Sequence, residues 1–205
     1  MKQVIRVIAV SMLWVLTASL FVSWTGLQDR TGGGTDMVLF DFQKPDETGD
    51  WVIINDGVMG GLSRSSFTVR DDGTALFTGT VSLRNYGGFA STRTRPRNLG
   101  LDGYSGISVR VRGDGRTYQF RIRTGGRFDG IAYRYEFDTV PGEWLTVRVP
   151  FADCVPTFRG RVLSGVDPVQ PQLIQQIGFM IADKKEGAFQ LQVDWIKAYT
   201  QPSPE

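Results

Sequence analysis

The stretch Ile107-Ser108-Val109-Arg110-Val111-Arg112-Gly113-Asp114-Gly115-Arg116-Thr117-Tyr118-Gln119-Phe120-Arg121-Ile122 decides the fold. Apolar side chains occupy every second position on both sides of a Gly-Asp-Gly-Arg break, the period of a strand with one face buried. Folded as a hairpin with a four-residue turn, Val111 opposes Tyr118, Val109 opposes Phe120 and Ile107 opposes Ile122. The same alternation recurs in Tyr133, Tyr135 and Phe137, in Leu145, Val147 and Val149, and in Phe189, Leu191, Val193 and Trp195. Ile177 to Ala182 is a continuous apolar run, as a strand covered on both faces requires. Turn chemistry at Asp71-Asp72-Gly73, Asp102-Gly103, Pro141-Gly142 and Lys184-Lys185-Glu186-Gly187 separates the runs. The only helical pattern in the body is short, near Gln170 to Gln176. Short strands at even spacing predict an all-β fold, an antiparallel β-sandwich of the jelly-roll kind.

A different kind of sequence precedes this body. Lys2 and Arg6 lead into an apolar run from Val7 to Val22, and no charge appears between Arg6 and Asp29. A basic start before an uncharged run of bilayer length, about 20 residues, predicts an N-terminal hydrophobic helix. Residues 1–27 then read as a signal peptide or membrane anchor, 28–35 as a Gly-rich linker, 36–200 as the sandwich domain and 201–205 as a tail. Positive charge at the extreme amino terminus favours sending the domain across the membrane. The expectation is a membrane-anchored or exported protein with its domain on the extracytoplasmic side.

Composition narrows the chemistry. The 205 residues are 41% hydrophobic and 21% charged, the make-up of a folded domain large enough to bury a core. There is no His and one Cys, Cys154. That excludes a Ser-His-Asp triad, a Cys-His dyad, His-ligated metals and an intramolecular disulfide. Lys2 and Arg6 account for the net charge of +2, so the body has no global field to draw in nucleic acid. Carboxylates such as Asp41, Asp102, Asp129, Asp153 and Asp183 lack the spacing of a catalytic pair, and there is no D-x-D-x-D-G calcium loop. A non-catalytic protein without cofactor or metal is expected, with Cys154 as a small packed residue.

Two constellations remain as candidate binding surfaces. The first is Trp51 to Ser63, in which Asp56-Gly57 and Gly60-Gly61 permit positive φ and close backbone approach. It reads either as a tight connection pinned by Trp51 and Met59 or as a partner loop, with Asn55, Asp56, Met59 and Ser63 as its candidate residues. The second follows from the hairpin, which sends Arg110, Arg112, Arg121 and Arg123 to the face opposite the core, joined by Arg134 and Arg148. Glu136 is the one acid near them on these strands. Such a face either grips carboxylates, phosphates or sulfated sugars, or is a solvated surface paired with acids from elsewhere. Arg110, Arg121, Arg123 and Arg134 are its candidate residues. Trp144, off the core face, is a candidate for stacking on a sugar.

Five stretches in order carry a resemblance: Asn55-Asp56-Gly57-Val58-Met59-Gly60-Gly61-Leu62-Ser63; Asn85-Tyr86-Gly87-Gly88-Phe89-Ala90-Ser91; Val111-Arg112-Gly113-Asp114-Gly115; Phe158-Arg159-Gly160-Arg161; and Ile177-Gly178-Phe179. Over roughly residues 38 to 199 the chain resembles the complex I intermediate-associated protein family. The resemblance implies a galactose-binding-like jelly roll and a non-catalytic, chaperone-like role in assembling NADH:ubiquinone oxidoreductase. Partners would be assembly intermediates built from respiratory complex subunits, with the membrane reached through the N-terminal segment. The alternative is a carbohydrate- or envelope-polymer-binding module that takes acidic glycans.

Overall fold

Each alternating run folds as a strand, ended by the turn residues that interrupt it. The computed structural model describes residues 36–200, apart from Phe128 and the side chains of Pro45 and Asp46. The expected N-terminal helix, the linker and the tail lie outside the described residues. The strands are β1 (Met37–Phe40), β2 (Trp51–Ile53), β3 (Arg64–Val69), β4 (Ala75–Val81), β5 (Ala90–Thr94), β6 (Gly106–Arg112) and β7 (Thr117–Arg123). There follow β8 (Ala132–Asp138), β9 (Trp144–Pro150), β10 (Val155–Phe158), β11 (Arg161–Val162), β12 (Gln176–Ile181) and β13 (Gly187–Tyr199). They form two antiparallel sheets. One runs β3-β4-β13-β6-β9 with β1 also on β13; the other runs β11-β10-β8-β7-β12-β5-β2.

The two sheets face each other across one core. Val109, Val111, Phe77 and Leu191 enter it from the first sheet; Tyr118, Phe120, Ile122 and Phe179 enter from the second. Phe120 meets Phe179 edge-on at 5.4 Å between centroids, a favourable aromatic geometry. Trp51 stacks on Phe67 at 4.4 Å, so it packs the core beneath the loop it was expected to pin.

The expected hairpin does not form. β6 pairs with β13 and β9, whereas β7 pairs with β12 and β8. Residues 113–116 are a crossing from one sheet to the other. The inward faces were read correctly, because both strands bury their apolar positions in the same core. Period-2 alternation reports which face is buried and is silent on whether two strands are neighbours or lie opposite each other. The crossing has its own fastening: Thr139 Oγ1 accepts from Gly115 N at 3.0 Å and donates to the Arg116 carbonyl at 2.9 Å. A Cβ at Gly113 would lie 2.4 Å from that hydroxyl oxygen, so the close approach requires glycine there.

Two smaller expectations also change. A β-bulge between Val193 and Trp195 turns Trp195 out of the core and brings Ile196 in. The helical pattern near Gln170 is a single 3-10 turn, Pro171–Leu173, and β12 begins at Gln176. Phe120→Ala removes a fully buried ring that packs edge-on against Phe179. It should cost about 3–5 kcal/mol in urea unfolding; a cost below about 1 kcal/mol would contradict this core.

Candidate functional site

The site is built around one buried carboxylate. Asp56 opens the 3-10 turn Asp56–Met59 and is fully buried. Its Oδ1 accepts from Ser63 N at 2.9 Å; its Oδ2 accepts from Ser63 Oγ at 2.5 Å, Gly88 N at 2.8 Å and Phe89 N at 3.3 Å. Ser63 Oγ in turn accepts from Ser82 N at 2.9 Å. Asn55 Oδ1 takes Ser65 Oγ at 2.8 Å and Ser91 N at 3.2 Å. Two loops, 54–63 and 82–91, are thereby joined. Burial works to raise the Asp56 pKa, but the bonds from the Ser63 hydroxyl and the Gly88, Ser63 and Phe89 amides outweigh it and hold the carboxyl below its ordinary value.

Asn55, Asp56 and Ser63 are therefore committed to the scaffold, and what they position is apolar. Val58 and Met59 are 63% and 60% exposed, Tyr86 is 95% exposed, and Leu62 and Leu83 also face solvent. Of the three loop glycines, Gly60 has positive φ, at 90°. Gly61 has no room for a side chain, since a Cβ would lie 2.3 Å from the Asp56 carboxyl carbon. Asn85 and Tyr86 both hold left-handed backbone, at φ 55° and 59°, a conformation that persists only where surrounding bonds enforce it.

Beside this loop end, the outer face of the second sheet carries a cleft of about 690 Å³. Register aligns Arg93, Gly178, Arg121 and Arg134 across four adjacent strands, β5, β12, β7 and β8. Arg123, Arg159 and Lys184 add further positive charge, while Ile54, Met59, Phe89 and Met180 form an apolar wall. Arg121 donates to Gln119 Oε1 at 2.9 Å and Thr157 Oγ1 at 3.2 Å, and Arg123 donates to the Gly130 carbonyl at 2.8 Å. The acids nearby are engaged at the edge: Glu136 with Arg134 at 3.3 Å, and Asp129 with Arg159 at 2.6 Å. Burial, followed by the Arg123 charge, depresses both Arg93 and Arg121 to about 10, with Arg134 adding to the effect at Arg121.

The six-arginine face is thus divided between the two outer surfaces. Arg121, Arg123 and Arg134 converge in the cleft, together with Met59 from the other constellation. Arg110, Arg112 and Arg148 lie on the opposite sheet. There Arg110 pairs with Asp194 at 3.3 Å, and both Arg110 and Arg112 lie over the Trp144 ring, which is covered rather than open for stacking. Sequence reasoning missed Arg93, because β5 reads Ala-Ser-Thr-Arg-Thr and lacks apolar alternation: its inward residues Thr92 and Thr94 are polar yet buried. Cys154 is buried, its thiol pushed up to about 12 by burial and then by Asp153. Among the described residues no group of acids and Cys has metal-holding geometry.

The family model of complex I intermediate-associated protein 30 matches residues 40–193, most of the chain. The chain belongs to that family. Relatives named "Complex I intermediate-associated protein 30, mitochondrial" include one from Drosophila melanogaster, 30% identical over 83% of this chain and 65% of its own length. Another, from Mus musculus, is 28% identical over 81% of this chain and 57% of its own. The chain thus spans about three-fifths of the curated relatives it matches. In fold it is similar to a family 11 carbohydrate-binding module from Clostridium thermocellum, with a TM-score of 0.62 at 20% identity over 82% of this chain and 96% of that one. An agarase, AgWH50C, gives 0.56 at 14% identity over 84% of this chain and 25% of its own.

The relatives correct the expected localisation. They are named as mitochondrial proteins, which contradicts an exported domain on the extracytoplasmic side. A basic, acid-poor start is common to secretory and mitochondrial leaders, so it does not by itself fix the compartment. Among the described residues no helix is long and apolar enough to cross a membrane.

Asp56 supplies a pH test. Its folded pKa lies below the unfolded value of about 3.9, so its contribution is complete above about pH 4 and is lost as pH falls through the folded value. Asp56→Asn should cost about 3 kcal/mol at pH 7. The gap to the unsubstituted protein should narrow below pH 4 in urea titrations; a gap independent of pH would exclude an ionised Asp56. Gly61→Ala should destabilise more than Gly57→Ala, whose Cβ meets nothing within 4 Å.

Proposed function

We propose that the domain is a non-catalytic binding protein that holds an intermediate of respiratory complex assembly against the loop end built on Asp56. The single observation behind this reading is spatial. Of the five stretches that carry the family pattern, 55–63 and 85–91 are the two joined loops, Gly160 in 158–161 lines the cleft and Gly178 in 177–179 lies on the sheet beneath it. Segments far apart in sequence thus serve one end of the molecule. Exposed Val58, Met59 and Tyr86 on enforced backbone are suited to a protein partner, because their ordering entropy is spent before binding. Chaperone-like holding needs only this differential affinity and no chemistry.

The carbohydrate reading rests on the shared jelly-roll fold, and fold is compatible with many functions. The cleft's cations would restrict it to acidic glycans. The two readings differ in what touches Met59 and Tyr86. A photo-crosslinking residue placed at position 59 or 86 of the full chain should capture a subunit of the respiratory complex in cells that make it, identified by mass spectrometry. The same residue at position 110, on the opposite sheet, should not. Equal capture from all three positions, or none of a respiratory subunit, overturns the assembly reading. With the crosslinking residue at position 86, Met59→Asp should weaken capture about tenfold or more, and with it at 59 so should Tyr86→Asp, each leaving stability within about 0.5 kcal/mol.

A further inference from the structure

The arginine row of the cleft is not explained by apolar docking at the loop end. Arg121 on β7 stands directly opposite Arg134 on β8. Like charges at directly opposed positions destabilise a sheet, and this pair is aggravated by Arg123 two residues on and by Arg93 in the same row. The acids beside the row are ion-paired elsewhere, Glu136 with Arg134 and Asp129 with Arg159, and reach the other cations only at longer range, Glu136 acting on Arg121 and Asp129 on Arg93 and Arg123. At the centre Arg121 is left with neutral acceptors, the Gln119 amide, the Thr157 hydroxyl and the Met180 sulfur. On the opposite sheet Arg110 has a carboxylate in Asp194, while Arg112 donates to the Gln192 amide.

The space between the central cations is also shaped. Gly178 occupies the row position between Arg93 and Arg121, and a side chain there would overlap the Thr92 carbonyl at 2.2 Å and the Arg93 Cβ at 2.8 Å. Bare backbone therefore lies between Arg93 and Arg121 in the row, and the forked donors of a guanidinium match the paired oxygens of a carboxylate or phosphate. About 690 Å³ is the size of a small-molecule site, and the Ile54, Met59 and Phe89 wall can cover an organic portion.

We infer that this cleft binds a compact organic oxyanion, a phosphate or carboxylate compound with at least two negative charges, held centrally by Arg121 with Arg93, Arg123 and Arg134. Such a ligand would give Arg121 a directly bonded counter-charge in place of its neutral acceptors. It reverses the mutual repulsion of the arginines, so binding and stability are coupled: the occupied protein unfolds at higher temperature than the empty one.

Pyrophosphate and citrate probe the phosphate and carboxylate forms of this chemistry. Each is titrated into the full-chain protein by calorimetry and thermal unfolding in 150 mM sodium chloride, against chloride of matched ionic strength. At least one should bind saturably with a dissociation constant below 1 mM and raise the unfolding temperature; which one does so identifies the anion. Arg121→Gln should weaken that binding about tenfold or more, and in the absence of ligand it should unfold no earlier than the unsubstituted protein. Arg123→Gln carries the same binding test should Arg121→Gln not fold. Arg110→Gln should leave binding unchanged. If neither probe exceeds the chloride control, or if Arg110→Gln and Arg121→Gln weaken binding equally, the inference is overturned. The crosslinks at positions 59 and 86 do not depend on this outcome.

Discussion

Arg116 and Asp183 form a bidentate, largely buried ion pair, Nε to Oδ2 at 2.9 Å and Nη2 to Oδ1 at 2.7 Å, and the sandwich is organised about it. Arg116 ends the crossing from β6 to β7, and Asp183 starts the turn that takes β12 across to β13. Both crossings leave one sheet for the other at the same place. Because β6 pairs with β13 and β7 with β12, fastening the crossings together sets two strand pairs at once. Arg116 also donates to the carbonyls of Gly187 and Ala188, while Asp114 accepts from Tyr118 OH and Gln190 N. A buried ion pair of this kind does more to specify an arrangement than to stabilise it, since desolvation offsets much of the attraction. What it specifies here is register, and register aligns Arg93, Gly178, Arg121 and Arg134.

Much of the core was legible in the chain because alternation is a local property. Ile107, Val109 and Val111, and Tyr118, Phe120 and Ile122, face inward as their spacing requires. Pairing is not local, and nothing within residues 107–122 distinguishes a turn from a crossing; the information lies in Asp183 and Thr139. Trp195 shows the same limit at smaller scale, since one bulged residue moves a side chain to the other face. At the site, the Arg residues of β7 and β8 could be read from alternation, whereas Arg93 sits in a strand whose buried positions are threonines. The Asp56 loop was recognisable by its glycines, yet the inward direction of its carboxylate depends on amides 32 and 33 residues away.

That long-range bonding separates two roles that look alike in sequence. Asp56, Asn55 and Ser63 are polar and lie in a loop, the usual marks of a binding residue, but their hydrogen bonds are used to hold the wall. The large apolar side chains Val58, Met59, Leu62, Leu83 and Tyr86 meet solvent at the same end, beside exposed Arg84 and Asn85. A partner surface made of Val58, Met59 and Tyr86 requires a rigid support, and a carboxylate accepting four hydrogen bonds provides one at little cost in sequence length.

The bulge at Asp194 has an effect on the molecule as a whole. It sets Asp194 against Arg110 at 3.3 Å, while Arg112 beside it donates to the neutral Gln192 amide and Arg148 lies over the Tyr199 ring. Before the bulge Phe189, Leu191 and Val193 face the core; after it Ile196 and Ala198 do. One inserted residue thus reverses the parity of β13, so that a single strand serves β4 along its first half and β6 and β1 along its second.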